Sequence, residues 1–144
     1  MVNAIRRRVL AGVVWFAAAY LAGAPALADT IAIIGTGRVA AALGPKFAGL
    51  GHDVVYGSRE PGRSDVRDLV RATGSSASAA TPEEAASGAD IVVLAVPGTA
   101  VASVVEGLGN LTGKIIIDPT NATRSAPDGL VEHDGQVGQL LDKL

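Results

Sequence analysis

Five short runs of apolar or small residues punctuate the chain: Thr30–Ile34, Asp53–Gly57, Ser75–Ala80, Asp90–Pro97 and Lys114–Asp118. The strongest, Ile31-Ala32-Ile33-Ile34 and Ile91-Val92-Val93-Leu94, lack any apolar–polar alternation. A strand of that composition has to be covered on both faces. Between the runs the pattern turns helical. Val39, Leu43, Phe47 and Leu50 recur at helical spacing, with Pro45 expected to kink that helix or mark a local irregularity. Ser64 is placed to cap a helix over Asp65–Ala72, and Thr81-Pro82-Glu83-Glu84 reads as a helix start. A further helix is expected over Thr99–Leu108, an irregular stretch over 122–135, and a last helix over Gln136–Lys143. Strand and helix in alternation dictate parallel strands joined by right-handed crossovers. The expected class is therefore α/β, a doubly wound parallel sheet of strand order 3-2-1-4-5. Ligands of such sheets sit beyond the carboxyl ends of the strands, where the order reverses.

The first 28 residues read differently. Arg6, Arg7 and Arg8 precede an apolar run from Val9 to about Leu21, and Ala26-Leu27-Ala28 is an A-x-A cleavage site just after Pro25. This is the layout of a cleavable signal peptide, and the run is short for a membrane span. The expected division is a signal peptide over 1–28 and one domain over 29–144, exported to the periplasm or the exterior, with no stable membrane span after cleavage. Arg6-Arg7-Arg8-Val9-Leu10 also fits the loose twin-arginine pattern. Ile5 is not the polar residue that would strengthen it, so the reading favours the Sec route.

Directly after the first run comes Gly35-Thr36-Gly37-Arg38-Val39-Ala40, a G-x-G-x-x-A loop between a strand and a helix. The first glycine allows the tight turn, the second lets a pyrophosphate reach the main chain, and the small third residue lets the helix pack close. The helix N-terminus offers free N–H groups to the phosphates. The reading is a dinucleotide site, of the Rossmann type.

The end of the second run selects the dinucleotide. An NAD site places a carboxylate there for the ribose hydroxyls. Here the residues are Gly57-Ser58-Arg59-Glu60, with Arg63 beyond. A hydroxyl and two guanidinium groups suit a 2′-phosphate, so NADP(H) is the expected cofactor. The competing possibility is that Arg59 and Arg63 pair with Glu60 or Asp65. Ala95, Val96 and Pro97 end the fourth run, across the sheet from Gly35, and are assigned to the nicotinamide side. Thr120 and Asn121, after the fifth run, face the same cleft, where Asn121 is a candidate for the carboxamide or a ribose of the cofactor; the equal alternative is that both simply cap the loop.

With GTGRVAAALGPKFAGLGHDVVYGSREP, AVPG and DPTNA in that order, the chain resembles the NADP-binding domain of the deazaflavin (coenzyme F420)-dependent NADP reductase family. It is similar, more distantly, to the N-terminal domain of pyrroline-5-carboxylate reductases. The resemblance covers about residues 30–121. It implies NADPH contacts at Thr36, Ser58 and Arg59, help to the 2′-phosphate from Arg63, and direct hydride transfer between NADPH and a second carrier. Family members continue with a further strand and a helical part that forms the second-substrate site and the dimer. The 29–144 domain is expected to lack that part.

The sequence also excludes classes. With no Cys there are no disulfides or thiolate metal sites, and no metal cluster is evident. Aromatics are 3%, and three of the five lie in the first twenty residues, so a base-stacking surface is not expected. The net charge of −2, more acidic still without Arg6–Arg8, argues equally against nucleic acid. His52 falls in a turn at the far end of the sheet and His133 in the tail, so no catalytic residue is assigned. Asp118 is an acceptor rather than a base. The expected function is an NADP(H)-binding oxidoreductase domain that moves hydride to or from a deazaflavin- or flavin-type carrier or a small substrate. The alternatives are a non-catalytic nucleotide-binding module, a remnant of such an enzyme, and a homodimer that completes its own site.

Overall fold

A computed structural model describes residues 28–120 and the two short strands 123–126 and 129–132. Five strands form one parallel sheet: β1 (Thr30–Ile34), β2 (Asp53–Gly57), β3 (Ala77–Ala80), β4 (Ile91–Leu94) and β5 (Ile115–Ile117). Their order is β3-β2-β1-β4-β5. The doubly wound topology expected from the sequence is thus present, with reversal between β1 and β4. Register aligns the strand ends: Ile34 lies beside Gly57 on one side and Leu94 on the other.

Helices α1 (Arg38–Gly49), α2 (Ser64–Thr73), α3 (Pro82–Ser87) and α4 (Val101–Glu106) make the crossovers. Successive residues of β1 serve opposite faces, because side chains alternate along a strand. Ile31 and Ile33 join Val54, Tyr56, Val93 and Ala40, with Leu43, Phe47, Leu69 and Val70 of α1 and α2 packed against them. Ala32 and Ile34 join Val92, Leu94, Ala85, Ala86, Val101 and Val105, from β4, α3 and α4. Covering both faces is what the unbroken apolar runs required. Each fully buried Ile, Leu or Val contributes about 1.5–3 kcal/mol.

Several local expectations need correction. Helix α1 runs through Pro45 without interruption. Its second-to-last turn faces solvent there, so the missing N–H is tolerated. Ser64 does not cap α2; Arg63 holds the N-cap position and makes no side-chain cap bond. The segment expected as one helix over 99–108 opens with a 3₁₀ turn, Gly98–Ala100, before α4. Within the stretch expected to be irregular, β6 (Thr123–Ala126) and β7 (Gly129–Glu132) form an antiparallel pair with Ala126 opposite Gly129. The expected signal peptide and last helix lie outside the described residues. Among the described residues, no helix is long and apolar enough to cross a membrane.

Candidate functional site

The carboxyl ends of β1, β2 and β4 are stitched together by main-chain bonds. Gly35 N–H donates to Gly57 O at 2.9 Å, and Ala95 N–H donates to Ile34 O at 2.9 Å. Gly35 has φ +111°, and a Cβ there would overlap the Ala95 carbonyl. The turn thus fixes glycine at 35 for conformational and steric reasons. Gly37 is different. Its φ of −84° is open to any residue, and a Cβ built on it meets nothing within 4 Å. The fold leaves a bare, vacant patch of main chain at this point.

That patch is the N-cap of α1. No side chain caps the helix, and no acidic residue lies in its first turn. Ala41 N–H is bonded to Gly37 O at 3.0 Å, so the N–H groups of Arg38, Val39 and Ala40 precede the first helical bond. Helix α3 shows the contrast. Its Thr81 Oγ1 accepts from Glu84 N–H and its Glu84 carboxylate accepts from Thr81 N–H, a complete capping box. The Thr81 hydroxyl also donates to Glu84 Oε2 at 2.7 Å, and this bond, with that from the Thr81 amide, holds the Glu84 carboxyl below the usual range. Ala40, in the third place of the loop motif, is fully buried and lets α1 approach β1.

The end of β2 supplies the polar wall. Ser58 is 7% exposed; its N–H donates to Ala80 O, and its Oγ accepts from Glu60 N–H at 3.2 Å. Its own O–H is left as a donor in the cleft. Arg59 and Glu60 are exposed, and Arg59 makes no ion pair among the described residues. Arg63 forks onto Asp65, Nε to Oδ1 at 2.5 Å and Nη2 to Oδ2 at 2.9 Å. The guanidinium beside it holds the Asp65 carboxyl below the usual range.

These residues line one cleft of about 880 Å³. It runs from Gly35, Thr36 and Gly37 past Ser58, Arg59 and Arg63 to Thr81 and Glu83 on one side and Ser103 and Val104 of α4 on the other. A smaller groove of about 290 Å³ continues beyond the loop, lined by Arg38, Val39, Leu94, Pro119 and Thr120. Gly37, Ala95, Val96 and Pro97 line both, so the glycine loop divides a two-lobed site. The size and the two lobes suit an extended molecule with an anionic centre. The residues expected from sequence meet here, except Asn121, which lies outside the described residues. Asp118 Oδ1 accepts from Thr120 N–H at 2.8 Å and serves the turn. Sequence reading missed Glu83, Ser103 and Val104; only the tertiary arrangement, which brings α3 and α4 to the walls of this cleft, could have shown them.

The family described as NADP oxidoreductase, coenzyme F420-dependent, matches residues 30–122. The chain belongs to this family. It is an NADP-dependent oxidoreductase family domain with the strand order of a Rossmann-like fold. Among solved structures, the family member is similar to an assigned F420-dependent NADP reductase from Arthrobacter sp. FB24, with TM-score 0.70 and 25% identity over 80% of this chain. The matched part is 57% of that protein's length. A reductive aminase from Aspergillus terreus, solved with NADPH and ethyl-5-oxohexanoate, shares the fold at TM-score 0.57 and 22% identity, over 81% of this chain and 37% of its own. A Plasmodium falciparum pyrroline carboxylate reductase with NADP bound is also similar, at TM-score 0.48 and 20% identity, over 65% of this chain and 34% of its own. No curated protein matches the chain.

Proposed function

We propose that the domain binds NADP(H) across the glycine loop and takes part in hydride transfer between it and a second redox carrier or small substrate. The observation that carries this reading is the vacant main chain at Gly37, at an uncapped helix N-terminus, opening onto the Ser58–Arg59 corner. What sets this terminus apart is that its bare residue and its free N–H groups open onto the main cleft. The first-turn N–H groups of α1 bind the pyrophosphate. Ser58 O–H and the Arg59 guanidinium bind the 2′-phosphate, and a carboxylate in place of Ser58 would repel it. Val39, Val96 and Pro97 wall the smaller groove, exclude water and hold the nicotinamide side in place. When bound, the cofactor supplies the hydride, and alignment and dryness are the protein's contribution.

A deazaflavin- or flavin-type carrier fits this scheme because hydride exchange between two stacked rings needs no protein acid or base. The neighbour from Arthrobacter, described as F420-dependent, supports that class of carrier. Calorimetric titration of the chain with NADPH, NADH and 2′-phospho-AMP tests the binding half. Tighter binding of NADPH than of NADH is expected, and equal affinity defeats the assignment. Oxidation of NADPH by an oxidised deazaflavin tests the second half. Binding without any turnover would leave a nucleotide-binding module.

A further inference from the structure

The opposite end of the sheet holds a feature that the nucleotide site does not use. Main-chain groups just after Ala28 are engaged at once. Asp29 N–H donates to His52 Nδ1 at 3.3 Å, and Asp29 O accepts from Asp53 N–H at 3.1 Å. Thr30 N–H donates to Asp90 Oδ2 at 2.9 Å, and Thr30 O accepts from Asp90 N–H at 2.9 Å. Ala28 itself is exposed. The central strand therefore begins two residues after the small-residue motif Ala26-Leu27-Ala28.

A peptidase that cuts after such a motif takes its substrate as an extended chain and pairs with main-chain groups on both sides of the scissile bond. On the leaving side those groups belong to Asp29 and Thr30, and β2, β4 and His52 already hold them. The folded sheet thus occupies the main-chain groups that the peptidase would need on that side. We propose that Ala28–Asp29 is a processing site cut by an export signal peptidase before β1 is seated, and that the new Asp29 amino group then takes the same seat on His52. One water is consumed: its oxygen joins the Ala28 acyl carbon to give a carboxylate, the C–N bond breaks, and its protons leave Asp29 with an α-ammonium. The ammonium replaces the amide N–H as donor to Nδ1 of His52. Asp29 Oδ2, 3.5 Å from that nitrogen, supplies the counter-charge. A chain cut in this order crosses the membrane unfolded and meets any nucleotide afterwards.

Two measurements test site and order. N-terminal sequencing of the full chain made in a Gram-negative host should read Asp-Thr-Ile-Ala-Ile. A retained Met1, or a start elsewhere, overturns the site. Full-length precursor in detergent micelles is then treated with purified signal peptidase, alongside an Ile33→Asp precursor whose core is broken at a fully buried position. The folded precursor should be cut at least about tenfold more slowly than the variant, as for a bond exposed only on local opening. Equal rates overturn the order of events, whatever nucleotide the cleft takes.

Discussion

Arg63 grips Asp65 through two hydrogen bonds at the rim of the main cleft, which Arg59 also lines, with no ion pair of its own among the described residues. The fork keeps one of the two cations at the β2 end occupied within its own loop. A 2′-phosphate would have to draw Arg63 away from Asp65. Asp65→Asn should therefore raise NADPH affinity by about two- to fivefold, the scale of an exposed ion pair. NADH affinity should not move. An unchanged NADPH affinity would show that Arg63 takes no part in binding.

Arg59 has no such rival among the described residues. Arg59→Ala should weaken NADPH by about 1–3 kcal/mol, the value of one charged hydrogen-bonding group, and leave NADH nearly unaffected. Calorimetry with both nucleotides checks it, and equal losses contradict the assignment.

The two glycines of the loop should respond in opposite ways. Gly37→Val places a side chain in open space, so thermal stability should stay within about 0.5 kcal/mol of the parent. Nucleotide binding should be abolished. Gly35→Ala should destabilise by about 1–3 kcal/mol, because the residue is held at φ +111° against the Ala95 carbonyl. Denaturant unfolding and calorimetry on both variants separate the two roles.

Acid stability has a definite sign. Asp65 and Glu84 are held below their ordinary values of 3.8 and 4.5, by Arg63 and by Thr81. As pH falls, the unfolded chain takes up these protons before the folded one does. The stabilisation is present above the ordinary values and fades as pH drops through the lower folded ones. Unfolding midpoints recorded down the acid range should fall there, and Glu84→Gln should flatten that limb. Thr81→Ala, which removes the cap, should cost about 1 kcal/mol at neutral pH.

Gly44 of α1 faces Tyr56 of β2 so closely that a Cβ would overlap the phenol hydroxyl. The ring is pinned, since its Oη lies 2.6 Å from Thr73 Oγ1, whose own proton goes to Leu69 O. Gly44→Ala should destabilise by about 1–3 kcal/mol through overpacking, despite the better helix propensity of Ala. In a Tyr56→Val background the cost should shrink, and a double-mutant cycle measures the coupling. Additive losses would show that the contact is slack.

What the sequence disclosed depended on how local the cause was. Buried strands showed because both faces of the sheet are covered, so Ile31–Ile34 and Ile91–Leu94 are apolar throughout. The Thr81 cap showed because its partner sits three residues away. Gly35 showed because the tight turn after β1 needs glycine at that position. Ser64 misled because Arg63, two residues before Asp65, holds that loop through a side-chain fork instead. The β6–β7 pair was missed because Thr123-Arg124-Ser125-Ala126 has no apolar face, although Pro127-Asp128-Gly129 has turn chemistry. Glu83, Ser103 and Val104 reach the cleft only through tertiary arrangement, which no spacing along the chain reveals.

The vacancy at position 37 has an evolutionary corollary. On the proposed nucleotide site, a single codon change there would silence the cleft while the fold is kept. Descendants that keep glycine at 35 but have lost it at 37 would be folded, ligand-blind paralogues, free to acquire scaffolding or decoy roles. The same change at 35 would instead be removed as a misfolded product, so drift in this lineage should be lopsided between two neighbouring glycines.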